Sequence, residues 1–287
     1  MSGGPDSLAL LLLAHAAQPG RIAAATVDHG LRPEAADEAA MVAAACADLD
    51  VPHAVLAVTV EPGNIQAEAR AARYAALADW MAREDLTALL TAHHADDQAE
   101  TLLLRLKRGS GVAGLAGVRA RGQVPGTERP LLRPLLGWRR AELADVVAAS
   151  GLAVAQDPSN ADDRFDRVRL RKALAAADWL DVPALASSAA HLADADAALD
   201  WAARREWSEA VEKAPMGLVY RPQAPKAVAL RVLARIVSEL DGGVPRGGAV
   251  ARLFDSLVAR QPASIGSLVA RPMPDGWHFT RAPQRRG

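Results

Sequence analysis

The stretch SGGPDS at residues 2–7 runs directly into the apolar residues 8–14, and this junction restricts the possible folds more than any other feature. Two adjacent glycines allow a tight turn, which in a parallel α/β sheet lies between a buried strand and a helix. The N–H groups of such a turn and of the helix start point to one place and favour an anion. We therefore predict that residues 2–7, here named the glycine loop, bind an anion.

Asp6 narrows the choice of anion. A carboxylate repels phosphate oxygens unless a divalent cation lies between them, so this residue predicts Mg²⁺ together with a polyphosphate. The pattern G-x-x-x-x-G-K-S/T does not occur in the sequence, which excludes a Walker phosphate loop. An ordinary strand-to-helix turn is the alternative for the same residues.

Helical and strand patterns alternate over the first hundred residues. Predicted strands at 22–27, 53–60 and 86–91 separate helices at 7–17, 34–48, 64–84 and, after HHADD, up to 107. Short links between such elements are typical of an α/β fold with a doubly wound, mostly parallel, Rossmann-like sheet.

The composition changes beyond residue 107. Glycine, proline and arginine at 109–134 predict a long functional loop, and helices follow at 139–150 and 164–177. We place a domain boundary near residue 180. The larger α/β domain is then 1–180, and 181–287 is an accessory, mainly helical domain. It has helices at 184–213 and 226–240 and a terminal hairpin of 268–270 with 277–280.

Charge is unevenly distributed along the chain. Residues 1–100 hold 15 acidic and 5 basic side chains, whereas 101–140 hold nine arginines and lysines against Glu128 alone. A basic surface with so few carboxylates suits a polyanion such as nucleic acid. An arginine-rich solvated loop is the alternative.

Cysteine content and hydropathy limit the compartment and the chemistry. The single cysteine, Cys46, excludes an internal disulfide and sulfur relay through paired thiols. Apolar runs such as 8–14 are too short to span a membrane, and we expect no signal peptide before Ser2. We expect a cytoplasmic protein without a membrane partner.

A second polar cluster, TAHHADDQAET at 91–101, directly follows a predicted strand. Ligands of open α/β sheets bind at the carboxyl ends of strands, so this cluster is expected at the site. Its carboxylates suit Mg²⁺ better than a zinc site, although helix capping by Asp96 is an alternative.

The stretch GSGVAG at 109–114 matches the dinucleotide pattern G-x-G-x-x-G, but it follows a basic helix instead of a strand. We therefore reject a dinucleotide site and interpret these glycines as a mobile loop that closes beside the substrate.

Seven motifs together make the chain similar to one family. They are SGGPDS (2–7), VDHGLR (27–32), EARAARY (68–74), TAHHADDQAETLLLRLKRGSGVAGLAG (91–117), RPLL (129–132 and 133–136), DPSN (157–160) and FDRVRLR (165–171). SGGPDS alone supports only the N-type ATP pyrophosphatase (PP-loop) superfamily. The whole set, in the expected order, resembles the tRNA(Ile)-lysidine synthetases.

The resemblance implies a ligase acting on the wobble cytidine of an isoleucine tRNA with a CAU anticodon. ATP adenylates the C2 carbonyl oxygen with loss of pyrophosphate, and the side-chain amine of free L-lysine then displaces AMP to give lysidine. It also implies ATP and Mg²⁺ as cofactors, a PP-loop ATP pyrophosphatase catalytic domain at 1–180 and a tRNA-positioning domain at 181–287. A homodimer is compatible with the sequence.

The same resemblance implies roles for individual residues. The residues implied in catalysis are Asp6, Asp97 and His93, and Asp6 and Asp97 are also the implied metal ligands. The residues implied in ATP binding are Ser2, Gly3, Gly4, Pro5, Asp6, Ser7, Asp28, His29 and Arg73. The residues implied in nucleic-acid binding are Arg105, Arg108, Arg133, Arg167, Arg169 and Arg171.

The chain departs from the family pattern at two places. Val168 stands where the family has asparagine, so we expect one hydrogen bond of that segment to be absent. The family also has an apolar strand before the loop serine. We expect that this sequence starts late, through a misassigned start codon or a truncation.

Three other functions are compatible with parts of this sequence pattern. Sulfur-inserting tRNA enzymes share the loop but usually need cysteine thiols or an iron–sulfur cluster, for which Cys46 alone is a poor candidate. Amidating synthetases act on small acids and would not need the basic charge of 101–140. The third is a chain that binds tRNA or ATP without turnover, because the missing strand would be central in the sheet.

Overall fold

A computed structural model describes residues 1–30, 34–59, 65–155, 164, 166–243, 245 and 247–282 of the protein. Parts of the predicted features lie outside the described residues, namely 31–32, the first residue of the helix predicted at 64–84, the turn at 157–160, and Phe165. Two compact units are present, Met1–Ala193 and Asp194–Gly287. The division falls inside a long helix that begins just after the boundary proposed near residue 180.

The first unit alternates helices and strands. Its elements are α1 (Pro5–Ala17), β1 (Ala24–Asp28), α2 (Glu34–Asp48), β2 (His53–Ala57), α3 (Ile65–Arg83), β3 (Leu89–Leu90), α4 (Ala95–Lys107), α5 (Val112–Leu115), β4 (Arg121–Gln123), β5 (Pro130–Leu132), α6 (Arg140–Ser150) and α7 (Asp166–Ala176). The helix α8 (Val182–Ala210) begins in this unit and ends in the second.

Parallel pairing confirms the predicted α/β fold. β1 and β2 pair in parallel from Ala24 with His53 to Asp28 with Ala57. A three-stranded sheet has the order β3-β5-β4, in which β3 and β5 are parallel and β4 is antiparallel. The amino group of Met1 donates a hydrogen bond to the carbonyl oxygen of Ala25 in β1.

The segment 109–134, predicted as one long functional loop, instead contains the regular elements α5, β4 and β5. Three-residue strands carrying arginine, glycine and proline have no apolar alternation, so the sequence pattern misses them. Long-range contacts fix them instead. The Gln98 amide exchanges two hydrogen bonds of 2.7 Å with the backbone of Val118, and Arg129 Nη1 donates to the Leu86 carbonyl oxygen at 2.6 Å.

Several small clusters form the core of the first unit, and they hold the loops at the strand ends. Leu8, Leu10, Leu143 and Val147 join α1 to α6, while Leu11 packs with residues of β1 and α2 in another cluster. Because α1 is buried on more than one side, it fixes the end of the glycine loop from which the helix begins.

The second unit contains more sheet than predicted. Its elements after α8 are β6 (Val211–Ala214), β7 (Gly217–Tyr220), α9 (Lys226–Asp241), α10 (Gly247–Val258), β8 (Ala263–Ile265), β9 (Leu268–Met273) and β10 (Gly276–Arg281). The predicted hairpin is β9–β10, within a five-stranded sheet of order β6-β7-β10-β9-β8. The helix predicted to reach 213 ends at Ala210, because the following residues pair with β7.

A repeated apolar face on α9 explains how the second unit packs. Ala229, Val232, Leu233, Ile236 and Val237 recur at helical spacing and are buried together with Phe279 and Trp277 of β10. Across all the described helices, none combines the length and the apolarity that a bilayer span requires.

Candidate nucleotide site and charged cavity

The glycine loop has a backbone that only glycine adopts readily at one position. Gly3 has φ of +69°, and its carbonyl oxygen accepts a 2.9 Å hydrogen bond from the Ala155 N–H. Gly4 is extended and precedes α1, where Pro5 needs no N–H partner. The Ser7 hydroxyl donates to the Gly4 carbonyl oxygen at 2.9 Å. The loop is therefore a tight turn at a helix N-terminus, as predicted for an anion site.

Gly3→Ala should destabilise the fold by about 2 kcal/mol, because an L-residue is strained at this φ. An added Cβ would also lie 2.9 Å from Met41 Cε and 3.0 Å from Ala155 Cβ. Gly4→Ala is the matched control, since its φ is −73° and the Cβ would meet only Ser2 Oγ at 3.7 Å. We expect that change to cost less than about 1 kcal/mol. Urea unfolding of both variants tests this, and equal losses would contradict it.

Two of the predicted carboxylates meet at a histidine. His94 Nε2 lies 3.4 Å from Asp6 Oδ2 of the glycine loop and 3.5 Å from Asp97 Oδ2 of α4. The His94 side chain is fully buried, whereas both carboxylates remain partly exposed. Asp97 Oδ2 also accepts a 3.1 Å hydrogen bond from the His94 N–H at the start of α4. The structure thus brings Asp6 and Asp97 together at one strand end.

Neighbouring charges of opposite sign shift the pKa values of both Asp6 and His94. Burial alone would raise the pKa of Asp6, but His94, Arg140 and Arg171 outweigh it and hold the pKa below its usual value. Burial likewise would lower the pKa of His94, but Asp6 and Asp97 outweigh it and raise the pKa above its ordinary value. The pairing therefore favours an ionised Asp6 beside a cationic ring.

Asp96 ties α4 to the start of α6. Its two carboxylate oxygens accept hydrogen bonds of 3.1 Å from Arg139 Nε and Nη2, and Oδ2 also accepts one of 2.8 Å from the Arg140 N–H. These contacts outweigh burial, which alone would raise the pKa of Asp96, and keep that pKa low. They also hold Arg140 Nη2 at 3.6 Å from Asp6 Oδ2. Asp96 thus caps α6 instead of its own helix.

Another group of predicted residues meets at the end of β1. Arg73 Nη2 lies 3.3 Å from His29 Nε2, and Asp28 Oδ1 accepts a 2.8 Å hydrogen bond from the Gly30 N–H. Burial and the charge of Arg73 lower the pKa of the Met1 amino group to about 6. Arg73 therefore lies near the residue that precedes the glycine loop.

His93 differs from its neighbour His94. Its Nδ1 lies 3.0 Å from Thr91 Oγ1. Burial lowers the pKa of His93 and outweighs the opposing charge of Asp97, and the charges of Arg133 and Arg167 lower it further. A ring with a pKa below 6.5 is neutral at pH 7 and can accept a proton.

The predicted nucleic-acid contacts are of two kinds. Arg105 on α4, Arg108 directly after it, and Arg167 and Arg169 on α7 are all exposed. Arg133 is half-buried, and its Nη1 donates to the Arg119 carbonyl oxygen at 2.6 Å.

Arg171 Nε donates to Glu100 Oε1 at 2.9 Å, joining α7 to α4. The side chain of Glu100 is only 2% exposed. His94 and Glu100 belong to the polar cluster 91–101 that was expected at the site, but neither had an individual role, and Arg140 was not predicted there; only tertiary contacts show what these three residues do.

A cavity of about 320 Å³ lies beside these residues. Its lining combines both signs of charge with a few apolar side chains: Asp96, Glu100, Arg139, Arg140, Arg171, Leu174, Ala175, Leu180, Asp181 and Val182. Among the described residues, Glu100 Oε2 and Arg140 Nε are buried without a hydrogen-bond partner. Two residues that line this charged cavity thus carry an unpaired acceptor atom and an unpaired donor atom, a combination that suits a small zwitterion.

The carboxylates fit a nucleotide-bound Mg²⁺ better than a metal site made by protein alone. Within the described part of the chain, no group of three or more His, Cys, Asp and Glu side chains is arranged to hold a metal ion. Mg²⁺ at phosphate sites usually takes one or two carboxylates and completes its shell with phosphate oxygens and water. Asp6 Oδ1 is buried and, among these residues, has no hydrogen-bond partner, which suits that arrangement.

Comparison with known proteins places the chain in a family. The PP-loop domain matches residues 1–177. The tRNA(Ile)-lysidine synthase of Novosphingobium aromaticivorans is 49% identical over 290 residues, covering 100% of this chain and 89% of that protein. The protein of the same name from Zymomonas mobilis is 38% identical, with 100% and 88% covered.

A solved structure shares the fold. The U34-tRNA thiolase NcsA from Methanococcus maripaludis, with its 4Fe-4S cluster, has a TM-score of 0.55 and 16% identity, covering 67% of this chain and 68% of that one. The sequence identity to these two synthases extends over the whole chain, and the PP-loop domain matches its first 177 residues. The chain belongs to the tRNA(Ile)-lysidine synthase family, with a PP-loop domain at residues 1–177.

Proposed function

We propose that this protein uses ATP to ligate L-lysine to C2 of the wobble cytidine in the CAU-anticodon isoleucine tRNA. The observation that carries the proposal is the contact between two sites. Arg140 lines the charged cavity and also lies 3.6 Å from Asp6 of the glycine loop. A site for a polyphosphate and a site for an amino acid are therefore neighbours. A cytoplasmic location, where tRNA and ATP are present, is part of this proposal.

The reaction has two balanced steps. The C2 carbonyl oxygen of cytidine attacks the α-phosphorus of ATP, and the bond to the bridging oxygen of the β-phosphate breaks to release pyrophosphate. The side-chain nitrogen of lysine then attacks C2, the C2–O bond breaks, and AMP leaves with that oxygen. The amine loses a proton to a base. The protein must hold the polyphosphate, the base and the amine in line.

The glycine loop and Asp6 are proposed to hold the polyphosphate. The α1 N-terminus and the backbone of the turn favour the phosphate charge. Mg²⁺ held by Asp6 and Asp97 would supply charge neutralisation to the leaving pyrophosphate. Arg140 and His94 lower the pKa of Asp6 and so favour its ionised form for this role.

The charged cavity is proposed to hold lysine. Glu100 Oε2 would accept a hydrogen bond from the α-ammonium group, and Arg140 Nε would donate one to the α-carboxylate. A buried polar atom without a partner costs roughly 1–3 kcal/mol, so a ligand that satisfies both atoms recovers that cost.

His93 is proposed as the base that takes the proton from the amine. We expect the rate at saturating lysine to stay constant from pH 8 to below the ordinary histidine pKa of 6.5, because the pKa of His93 is lowered. The rate should fall only as the pH drops through that lower pKa, since the ring then gains a proton. Single-turnover rates against pH measure this. An acidic limb that persists unchanged in His93→Gln would contradict the role of this ring.

The exposed arginines of α4 and α7 are proposed to bind tRNA phosphates. Arg169→Ala should reduce the slope of log affinity against log salt concentration by about one unit, because each lost phosphate contact releases one counterion fewer. Arg83→Ala is the control, since Arg83 is exposed at the end of α3. Filter binding at several salt concentrations measures both slopes. Equal slopes in the two variants would make Arg169 an ordinary surface residue.

Residues 181–287 are proposed to position the tRNA away from the anticodon. Phosphate contacts fix orientation without reading sequence, and an accessory unit can supply them.

One assay tests the proposed function as a whole. Purified protein should release AMP only when lysine, ATP and the CAU-anticodon isoleucine tRNA are all present. A methionine tRNA with the same anticodon and ornithine in place of lysine serve as controls. AMP release without tRNA or without lysine would refute the proposal.

A further inference from the structure

A second group of charged residues lies around His93, apart from the residues that line the charged cavity. Arg133 directly follows β5, and the Thr91 N–H donates a 3.0 Å hydrogen bond to the Leu132 carbonyl oxygen at the end of that strand. Arg133 therefore leaves the sheet beside the residues that follow β3, and His93 is one of them. Besides burial, the charges of Arg133 and Arg70 lower the pKa of His93, which agrees with this proximity.

The guanidinium group of Arg133 is only partly paired. Its Nη1 donates to the Arg119 carbonyl oxygen at 2.6 Å, which fixes one end of the group. Its Nε is buried and has no hydrogen-bond partner among the described residues. Burial lowers the pKa of Arg133, Tyr74 opposes this shift, and the charge of Arg70 adds to it. A buried cationic donor without an acceptor is costly, so the Nε atom suits an oxygen that a ligand supplies.

Tyr74 holds a second guanidinium group at the same place. The Tyr74 side chain is 5% exposed, Arg70 Nη2 lies 3.5 Å from its hydroxyl oxygen, and Arg70 Cζ lies 4.9 Å from its ring centroid. Within the described part of the chain, no carboxylate forms an ion pair with Arg70 or Arg133. The ligand class that two such groups favour is a phosphate, because guanidinium N–H groups match its oxygens in geometry and in charge.

The proposed reaction indicates which phosphate reaches this position. In its second step the bond from the lysine nitrogen to C2 forms, the C2–O bond breaks, and the electron pair stays on the oxygen that is bonded to the phosphorus of AMP. A base that takes the proton from the amine must therefore lie close to that phosphate. We propose that Arg133 and Arg70 bind the phosphate of the adenylated cytidine and stabilise the negative charge that AMP gains as it leaves. This inference rests on the proposed function and on His93 as the base.

A phosphate of the tRNA backbone has the same chemistry and is the competing source. The arginines proposed above to contact the tRNA backbone are exposed, whereas Arg133 is half-buried beside the residue assigned to proton transfer. Its position therefore favours the phosphate at the reacting centre, and binding measurements without tRNA separate the two sources.

The test compares AMP with adenosine as ligands of the full chain, without tRNA. The wild type should bind AMP more tightly than adenosine. Arg133→Gln should weaken AMP binding about 10- to 100-fold and leave adenosine binding unchanged, because it removes hydrogen bonds to a charged group. Arg133→Lys, which keeps the charge without the planar fork, should lose less. With adenylated tRNA already formed, the rate at which added lysine releases AMP should fall about 100-fold in Arg133→Gln.

Arg129→Gln is the matched control. Arg129 lies in the same segment, is half-buried like Arg133, and donates to the Leu86 carbonyl oxygen at 2.6 Å. Its loss should lower the urea midpoint without changing the ratio of AMP to adenosine affinity. Arg70→Gln provides a second test on an exposed side chain, so that its effect on AMP binding is read in a folded protein.

The outcomes decide between the sources of phosphate. Wild-type AMP affinity in both Arg133→Gln and Arg70→Gln would overturn the proposal, as would an unchanged rate of AMP release. A reduced salt dependence of anticodon-hairpin binding with unchanged AMP affinity would assign Arg133 to a tRNA phosphate instead. If Arg133→Gln does not unfold cooperatively, Arg133→Lys and Arg70→Gln decide by the same measurement. Absence of lysine-dependent AMP release in the wild type would refute the proposed function, and the comparison of AMP with adenosine would still test the phosphate site.

Discussion

Asp6→Asn should lower tRNA-dependent pyrophosphate release at least about 100-fold, the loss typical when one charged group at a phosphoryl-transfer site is removed. Asparagine keeps the size of the side chain and one oxygen, so the glycine loop should keep its backbone. It removes the charge that faces His94 Nε2 at 3.4 Å and that is available to a cation. The expected defect is thus in chemistry and nucleotide binding, with folding largely preserved.

Two measurements separate these effects. Pyrophosphate release with tRNA present reports adenylation, and urea unfolding reports stability. Asp79→Asn is the control, because Asp79 is an exposed carboxylate on α3 in the same unit. Wild-type pyrophosphate release by Asp6→Asn would remove this residue from the proposed mechanism. A cooperative transition lost altogether would make its role structural.

Sequence reasoning located Asp6 and Asp97 because a general rule of sheets applies to them. Each was predicted at a loop that follows a strand end or precedes a helix, and parallel strands bring such loops to one edge. The structure accordingly places both carboxylates within 3.5 Å of one histidine nitrogen. The motif and the sheet topology were sufficient to predict that Asp6 and Asp97 lie close together, because the fold class fixes which loops are neighbours.

The same reasoning could not choose between His93 and His94. The two rings are adjacent in sequence, yet one is fully buried between carboxylates while the other lies near Arg133 and Arg167. Their pKa values consequently shift in opposite directions. This difference in pKa depends on which neighbouring charges each ring faces, and the local sequence alone does not specify those neighbours.

Arg171 shows that the sequence alone also does not distinguish arginines available to RNA from arginines that stabilise the fold. Composition makes every arginine of α7 an equal candidate for phosphate, but Arg171 pairs with Glu100, which is 71 positions away in the sequence. Several arginines of 101–140, such as Arg129 and Arg133, likewise donate to backbone carbonyl oxygens. Part of the predicted basic surface therefore stabilises the fold, and exposure is needed to tell which part remains for RNA.

Glu100→Gln should raise the KM for lysine about 10- to 100-fold, because a hydrogen bond to a charged group contributes about 1.5–3 kcal/mol. Pyrophosphate release in the absence of lysine should change little, since Glu100 is assigned to the amino acid and Asp6 to the nucleotide. The prediction depends on Glu100 Oε2, a buried atom without a partner among the described residues, on a side chain that lines the charged cavity.

Loss of the Arg171 pair could lower stability as well, so the control must remove a comparable buried carboxylate elsewhere. Glu206→Gln does so: Glu206 is 7% exposed in the second unit, and its Oε1 accepts hydrogen bonds from the Tyr220 hydroxyl and the Gln223 N–H. Both variants should unfold at lower urea concentration, but only Glu100→Gln should need more lysine. Equal lysine KM values in the two variants would mean that the cavity serves the fold alone, because a purely structural carboxylate affects unfolding without affecting the affinity for one substrate.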